Sequence, residues 1–358
     1  MIIHILGTEN FYQKSFINLI ERNFAPDSHR FIFRSTKVKK ENYRSTTAIG
    51  IKRNVISLIF FIPQLLKAEK IFIHYLPHGP SLIFWTIYSF FSKKLVWVYW
   101  GGDIYIYKDK NRTIKSQFYE LCRRFLIKNL RNIAGFLYGD FKIIKEVYQT
   151  QAVYTQIIYP LPIDLLLLER ISAENKIEKS DNKTRILAGN SADPSNNHIE
   201  LFSFLERFRD EDIEIICPLS YGPNKDYIEL VKKEGERIFG VKFKPLLEFL
   251  TPSEYSKILI GVDITIMNHQ RQQGLGNLVT ILWLGKKVFV RSDTTSYAYF
   301  NSEKIKVWDT IDIQNLPFDD FKSMNPADGI KNKTLALNVF SENHYVELWS
   351  NVFNVSST

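Results

Sequence analysis

Short apolar runs rich in Ile, Val, Phe and other aromatic residues recur along the first part of the chain, at Ile2–Leu6, Phe31–Arg34, Lys70–His74, Leu95–Trp100 and Gly135–Tyr138. Each reads as a buried β-strand. Longer segments with helical spacing lie between them, as at Phe11–Phe24 and Ser81–Ser92. Strand and helix in alternation predict a doubly wound parallel sheet. A polar stretch, Ser172–Lys183, has linker composition, and a second series of strands follows it: Thr184–Ala188, Ile213–Pro218, Val241–Lys244, Val262–Met267 and Lys287–Arg291. The pattern therefore predicts an α/β chain of two Rossmann-like domains, 1–171 and 184–343, joined by a linker over 172–183. The last apolar stretch, His344–Val355, is expected to form a helix within 344–358 that packs back on the first domain.

Length and composition agree with two cores: 358 residues, 45% of them hydrophobic. Cys122 and Cys217 are far apart and form neither a metal-ligand spacing nor a disulfide framework, so both read as buried thiols in a reducing compartment. The opening residues MIIHILGTEN lack a charged leader and read as a first strand with its loop. Val55–Leu66, broken by Pro63, and Leu82–Phe91 are about half the roughly 20 residues a membrane-spanning helix needs.

Charge changes the picture more. Residues 1–160 hold 24 basic and 10 acidic residues, a net of +14, while residues 161–358 hold 23 and 28, a net of −5. The first half is thus expected to face something anionic. Within it Arg112–Arg131 places Ile114, Phe118, Leu121 and Phe125 on one helical face and Lys115, Arg123, Arg124, Lys128 and Arg131 elsewhere. A basic amphipathic helix of this kind suits an anionic membrane surface. The basic residues show no nucleic-acid-binding motif, so nucleic acid is not an expected partner.

The segment most suggestive of chemistry is Asn268–Gly276, NHQRQQGLG, between a strand and the apolar helix pattern Asn277–Leu284. Gly274 and Gly276 let the backbone approach a ligand, free N–H groups at a helix start favour an anion, and the Arg271 fork suits a diphosphate. Asn268, Gln272, Gln273 and Asn277 belong to the same candidate phosphate site. A second polar loop, Gly189–His198, follows the strand Thr184–Ala188. Asn190, Ser191, Ser195 and His198 there could close on a nucleotide or sugar, or Ser195 or Asn196 could simply cap a helix. In Cys217–Gly222, Pro218 shapes a turn and Tyr221 could stack on a base. In Trp97–Tyr105 a strand ends before Gly101 and Gly102, which present Asp103 as a candidate general base for an acceptor hydroxyl. His74, Gly7 and Thr8 end strands in the same half and complete a candidate acceptor side.

Together these segments resemble glycosyltransferase family 56, the bacterial transferases of 4-acetamido-4,6-dideoxy-D-galactose from a TDP-sugar. The resemblance is carried by IHILGT at the start, WGGDIY at Trp100–Tyr105, YGDF at Tyr138–Phe141, GNSADPSNNHI at Gly189–Ile199, PLSYGPN at Pro218–Asn224 and RQQGLGNL at Arg271–Leu278. It implies a GT-B fold, two Rossmann-like domains facing across a cleft, with a TDP-sugar donor and a lipid-linked glycan acceptor at the inner face of the cytoplasmic membrane. Arg271 and the backbone near Gly274 and Gly276 would then stabilise the leaving diphosphate, and Asp103 would activate the acceptor. No cofactor is expected, and no acidic cluster demands a metal. Competing readings on the same plan are a nucleotide-sugar-binding protein without transfer activity and a nucleotide-sugar epimerase.

Overall fold

The computed structural model describes residues 1–25, 27–38, 43, 48–109, 113–161, 168, 170–171, 182–222 and 224–354. The linker expected at 172–183 therefore lies outside the described residues except for its last two positions. Two compact units emerge: Met1–Pro162 together with Phe340–Thr358, and Ile163–Val339.

The first unit runs β1 (Ile2–Leu6), α1 (Phe11–Asn23), β2 (His29–Phe33), β3 (Ala48–Gly50), α2 (Val55–Ile59), α3 (Ile62–Lys67), β4 (Lys70–His74), α4 (Pro80–Phe91), β5 (Leu95–Val98), α5 (Gly101–Ile104), α6 (Ile114–Asn129), β6 (Asn132–Gly135), α7 (Tyr138–Tyr148) and β7 (Val153–Gln156). The second runs β8 (Thr184–Ala188), α8 (His198–Leu205), β9 (Ile213–Pro218), α9 (Lys225–Phe239), β10 (Phe243–Leu246), α10 (Pro252–Gly261), β11 (Ile264–Met267), α11 (Leu275–Trp283), β12 (Lys287–Val290), α12 (Thr295–Ser302), β13 (Trp308–Asp309), α13 (Phe318–Lys322) and α14 (Pro326–Val339). A last helix, α15 (Glu342–Asn354), belongs to the first unit.

The first unit's sheet has the order β3-β2-β1-β4-β5-β6-β7 and the second's β10-β9-β8-β11-β12-β13. All pairings are parallel, with Ile3 opposite Arg30 and Ile71, and Ile264 opposite Ile186 and Lys287. In each sheet the strand order reverses beside the first strand, at β1/β4 and at β8/β11. In open α/β sheets the crevice outside the carboxyl ends of such a strand pair is where ligands bind.

Strand alternation sends side chains to opposite faces. Ile3, Ile5, Ile32, Ile71, Ile73 and Trp97 enter the main apolar core of the first unit. On the other face His4 meets Phe31, Phe72 and His74. α1 and α15 cover that face: Phe16 and Trp349 pack ring to ring at 4.5 Å, and Trp349 Nε1 donates to Ile158 O at 3.0 Å. Lys70 Nζ donates to the Val352 and Phe353 carbonyls at 3.0 and 2.7 Å, satisfying acceptors that a helix C-terminus leaves open.

Two strands are displaced from their expected places: Val241–Lys244 gives way to β10 at Phe243–Leu246, and Gly135–Tyr138 to β6. Asn132–Gly135 is β6, and Tyr138, expected to close that strand, instead opens α7. Asn132, polar but buried, hid the start of the strand. Cys122 and Cys217 are buried and unpaired.

Candidate functional site

At the β8/β11 reversal two loops meet. After β8 the chain turns at Gly189, whose φ of 72° suits glycine. A Cβ there would come within 2.6 Å of His198 Nε2 and 2.9 Å of Asn196 Oδ1. After β11 the loop ends at Gly274, φ 65°, the residue that caps α11. Its missing Cβ would lie 3.1 Å from Asn190 Cγ and from His269 Cε1, so Gly274 permits close approach of the two loops, while Gly189 lets the first loop fold tightly on itself.

Asn196 is the centre of this junction. It is fully buried, and its Oδ1 accepts from Asn190 N at 2.9 Å and from His269 Nε2 at 2.8 Å. Its Nδ2 donates to Ser191 Oγ and to Asp193 O, both at 3.0 Å. Gln273 Nε2 donates to Asn190 Oδ1 at 3.2 Å and Ser191 Oγ at 3.1 Å. The Ser195 hydroxyl lies between Asp193 Oδ1, 2.6 Å away, and Gln273 Oε1, 2.7 Å away. Burial, with His198 and Arg271 nearby, pulls the His269 pKa down to about 3, so the ring is neutral and Nε2–H is its donor to Asn196.

The junction borders a cavity of about 500 Å³ lined by Asn190, Ser191, Asp193, Tyr221, Gly222, Arg271 and Gln273. Arg271 Nη2 donates to Asp193 Oδ2 at 3.4 Å, a loose contact that leaves the rest of the guanidinium fork for a ligand. Burial raises the Asp193 pKa, but the Ser195 hydroxyl and amide together with Arg271 and His269 lower it further, so Asp193 stays ionised. The first turn of α11 has no intrahelical acceptors for its N–H groups, which makes its start favourable to an anion. Tyr221 is exposed at the rim.

Other expected donor residues are placed elsewhere. Asn268 is fully buried and its side chain is committed to scaffold: Nδ2 donates to Asn197 O and Glu200 Oε2 at 3.2 and 2.9 Å, and Oδ1 accepts from Thr310 Oγ1 at 2.9 Å. His198 is also fully buried, with Nδ1 3.1 Å from Tyr227 OH and Nε2 under Gly189. Burial lowers its pKa to about 4. Pro218 ends β9 inside the fold, Asn277 donates to Tyr255 OH at 2.8 Å, and Gly276 lies in α11. Gln272 is half-buried outside the cavity lining. Asp193, Gly222 and His269 were not among the expected residues, and Asn196 was expected only as a helix cap, a place that Asn197 takes. Asn196 and His269 lie in segments recognised in the sequence, but their pairing is a contact between loops.

In the first unit Gly7 and Thr8 follow β1, His74 ends β4, and Gly101 and Gly102 open α5 after β5. Gly102 is exposed beside Tyr75, a non-glycine residue at φ 73°. Such a conformation is uncommon and costs energy. His74 does not open to solvent: it is buried, 2.9 Å from His4 Nδ1 through Nε2 and bonded to Tyr159 OH through Nδ1, and burial lowers its pKa to about 3.

Asp103, expected as the general base, is fully buried. Its Oδ2 accepts from Leu76 N at 3.0 Å and Trp97 Nε1 at 2.9 Å, and its Oδ1 accepts from Trp100 N at 2.7 Å. Burial raises its pKa to about 6, although these donors and Arg123 hold it down. It ties together the loops that follow β4 and β5.

Among the described residues, no group of three His, Cys, Asp or Glu side chains has metal-binding geometry, and no helix is long and apolar enough to cross a membrane.

Two parallel α/β units with this strand order are the architecture of the GT-B fold. Solved structures share the fold over nearly the whole chain. HepE from Anabaena in complex with UDP is 12% identical, with a TM-score of 0.72 over 99% of each chain. WaaG, a glycosyltransferase involved in lipopolysaccharide biosynthesis, is 11% identical, with a TM-score of 0.63 over 99% of each chain. A glycosyltransferase from Rickettsia africae is 12% identical, with a TM-score of 0.67 over 99% of each chain. The family model described as 4-alpha-L-fucosyltransferase, glycosyl transferase group 56, matches residues 65–350, and the chain belongs to that family.

Proposed function

We propose that this transferase moves a 4-acetamido-4,6-dideoxygalactose-type residue from a TDP-sugar to a polyprenyl-diphosphate-linked glycan in surface polysaccharide synthesis, of the enterobacterial common antigen or O-antigen type. The observation that carries the donor half is Arg271 on the wall of the cavity beside the start of α11. Departure of the nucleoside diphosphate leaves negative charge on its terminal phosphate as the anomeric bond breaks. A fixed guanidinium and a helix N-terminus aimed at that charge stabilise the transition state more than the ground state. Asp193 lies against Arg271, while Asn190, held by Gln273, offers its amide N–H groups to the donor and Tyr221 offers a face to the base. HepE was solved with UDP and with UDP-glucose, which supports a nucleotide-sugar in the corresponding unit here.

The acceptor belongs to the basic first unit, where exposed Thr8 and Gly102 follow β1 and β5. The acceptor lipid places the enzyme at the inner face of the cytoplasmic membrane, attached peripherally. The test is transfer itself: purified enzyme, TDP-linked sugar and lipid-linked acceptor are incubated, and the product is read by mass spectrometry. Growth of the acceptor by one acetamido-dideoxyhexose supports the proposal. Transfer from a UDP- or GDP-sugar instead keeps the reaction and rejects the donor, and isomerised donor without acceptor growth rejects transfer.

A further inference from the structure

The first unit carries an apolar surface that its own fold leaves uncovered. On α4, Ile87, Phe90 and Phe91 point outward, and Phe91 is 85% exposed. On α6, Ile114 is 87% exposed, and Phe118, Leu121 and Phe125 follow it on the same side. Phe60, after α2, is 77% exposed, with Ile56 and Ile59 before it. The three helices are neighbours, α2 against α4 and α4 against α6. The α4/α6 seam is fixed by Thr86 Oγ1 donating to Cys122 O at 3.0 Å. Ile87 and Phe90 on one side, and Phe118 and Phe125 on the other, flank that contact one turn or less away. The exposed apolar side chains thus lie on three adjoining helices of one unit, and exposed apolar surface concentrated in this way marks an interaction site.

Charge identifies what covers it. Residues 51–131 hold fourteen basic and four acidic residues. Of the four, Asp103 and Glu120 are buried and Glu69 is paired with the N-terminal amine at 2.5 Å. Lys52, Arg53, Lys67, Lys93, Lys115 and Lys128 are all exposed and lie close in sequence to exposed apolar side chains of this surface. Aromatic and aliphatic side chains accompanied by lysines can bury their apolar parts at the acyl boundary while the ammonium groups reach lipid phosphates.

We propose that α2, α4 and α6 form a single docking face for an anionic lipid bilayer, with Phe60, Phe91 and Ile114 entering the interface. This rests on the peripheral location proposed above for the place of work, but not on the identity of the sugar. It differs from attachment by α6 alone in giving the largest roles to Phe60 and Phe91, which lie on neighbouring segments.

The experiment is flotation of the full chain with vesicles of phosphatidylcholine alone or mixed with phosphatidylglycerol, at low and high salt. The expected result is binding to the mixed vesicles only, weakened by salt, and reduced about tenfold or more in the double variant Phe60→Ser, Phe91→Ser. Thermal unfolding and TDP binding are measured on the same preparations. Both side chains are exposed, so folding should be retained; Ile114→Ser alone, at the start of α6, gives a second reading. Equal binding to neutral vesicles, no binding to either, or unchanged binding by both variants would overturn the proposal. Because TDP binding is scored separately, failure of the donor assignment leaves the docking result readable, and the converse holds.

Discussion

His269 Nε2 lies 2.8 Å from Asn196 Oδ1, joining the loop after β11 to the loop after β8 inside a fully buried junction. The two residues are 73 positions apart, and the same Asn196 oxygen also accepts from Asn190 N. Asn196 thus ties both loops of the cavity wall from beneath, beside the contacts that Gln273 makes with Asn190 and Ser191. Replacing Asn196 by Ala strands the Asn190 N–H, the His269 Nε2–H and an acceptor site on Ser191, at about 1–3 kcal/mol for each group left unsatisfied. The expected outcome is a lower melting temperature and weaker donor binding. Asn196→Ala, His269→Ala and the double variant should couple by about 0.5–3 kcal/mol. Strict additivity in that cycle would mean that the two loops are held by other contacts.

Gly189 tests the same junction through the backbone. Ala at this position meets both a left-handed φ and a 2.6 Å approach to His198 Nε2. Donor affinity is expected to fall more than tenfold, because the loop must move away from Asn190 and Ser191. An Ala variant with wild-type donor affinity and stability would show that this turn is not needed in its observed form.

Asp103 separates a structural carboxylate from a catalytic one. If it removed the acceptor proton, Asp103→Asn would lose orders of magnitude in kcat at unchanged stability. With three N–H donors on its oxygens, the Asn amide instead places an NH2 group against a donor. The expected outcome is a loss of about 1–3 kcal/mol in stability, with kcat within about tenfold at a temperature where the variant is folded. Thermal unfolding beside steady-state kinetics decides it.

Acid should destabilise the first unit. His29, His4 and His74 form a buried chain, with His4 Nε2 2.9 Å from His29 Nδ1 and His4 Nδ1 2.9 Å from His74 Nε2. Burial, aided for His29 by the N-terminal amine, lowers His29 to about 4 and His74 to about 3. Burial, then His74 and His29, lowers His4 well below its ordinary value. The unfolded chain binds these protons first, so the stabilising contribution is complete above about pH 6.5 and is lost as pH falls toward the folded values. Asp103, raised to about 6, acts in the opposite sense: its contribution is present in acid and is lost as pH rises through 6. Three histidines outweigh one carboxyl, so melting temperature should fall between pH 6.5 and 4. His29→Gln should flatten the slope, and a melting temperature independent of pH across that window would contradict the neutral chain.

The parallel sheets could be read from sequence because their central strands, such as IIHIL in β1 and TRILA in β8, are local apolar runs. The edge strands β3 and β13, three and two residues long, are too short to leave a pattern. Arg271, which lines the cavity, and Gly274, which caps α11, were visible because they stand in one contiguous, glycine-containing segment. Asn196 gained its role only from a partner across 73 positions, and Asp103 became structural only when Leu76 N, Trp97 and Trp100 N closed around it. Asn268 and His198 sit in recognisable segments, yet the chain turns them inward. Sequence proximity to a site does not reveal which way a side chain faces.

The central claim is that the Arg271 cavity binds the diphosphate of a TDP-sugar. It is tested most directly by titrating TDP and TDP-linked deoxysugars into the wild-type chain and into Arg271→Ala, with thermal stability as the readout. A ligand that binds only the folded state at 100 times its Kd should add about 2.7 kcal/mol of stability. TDP ligands are expected to stabilise the wild type more than UDP and GDP do, and to lose that effect in Arg271→Ala with the unliganded melting temperature little changed. Equal stabilisation of both proteins, or no response of the wild type to any nucleotide, would contradict it.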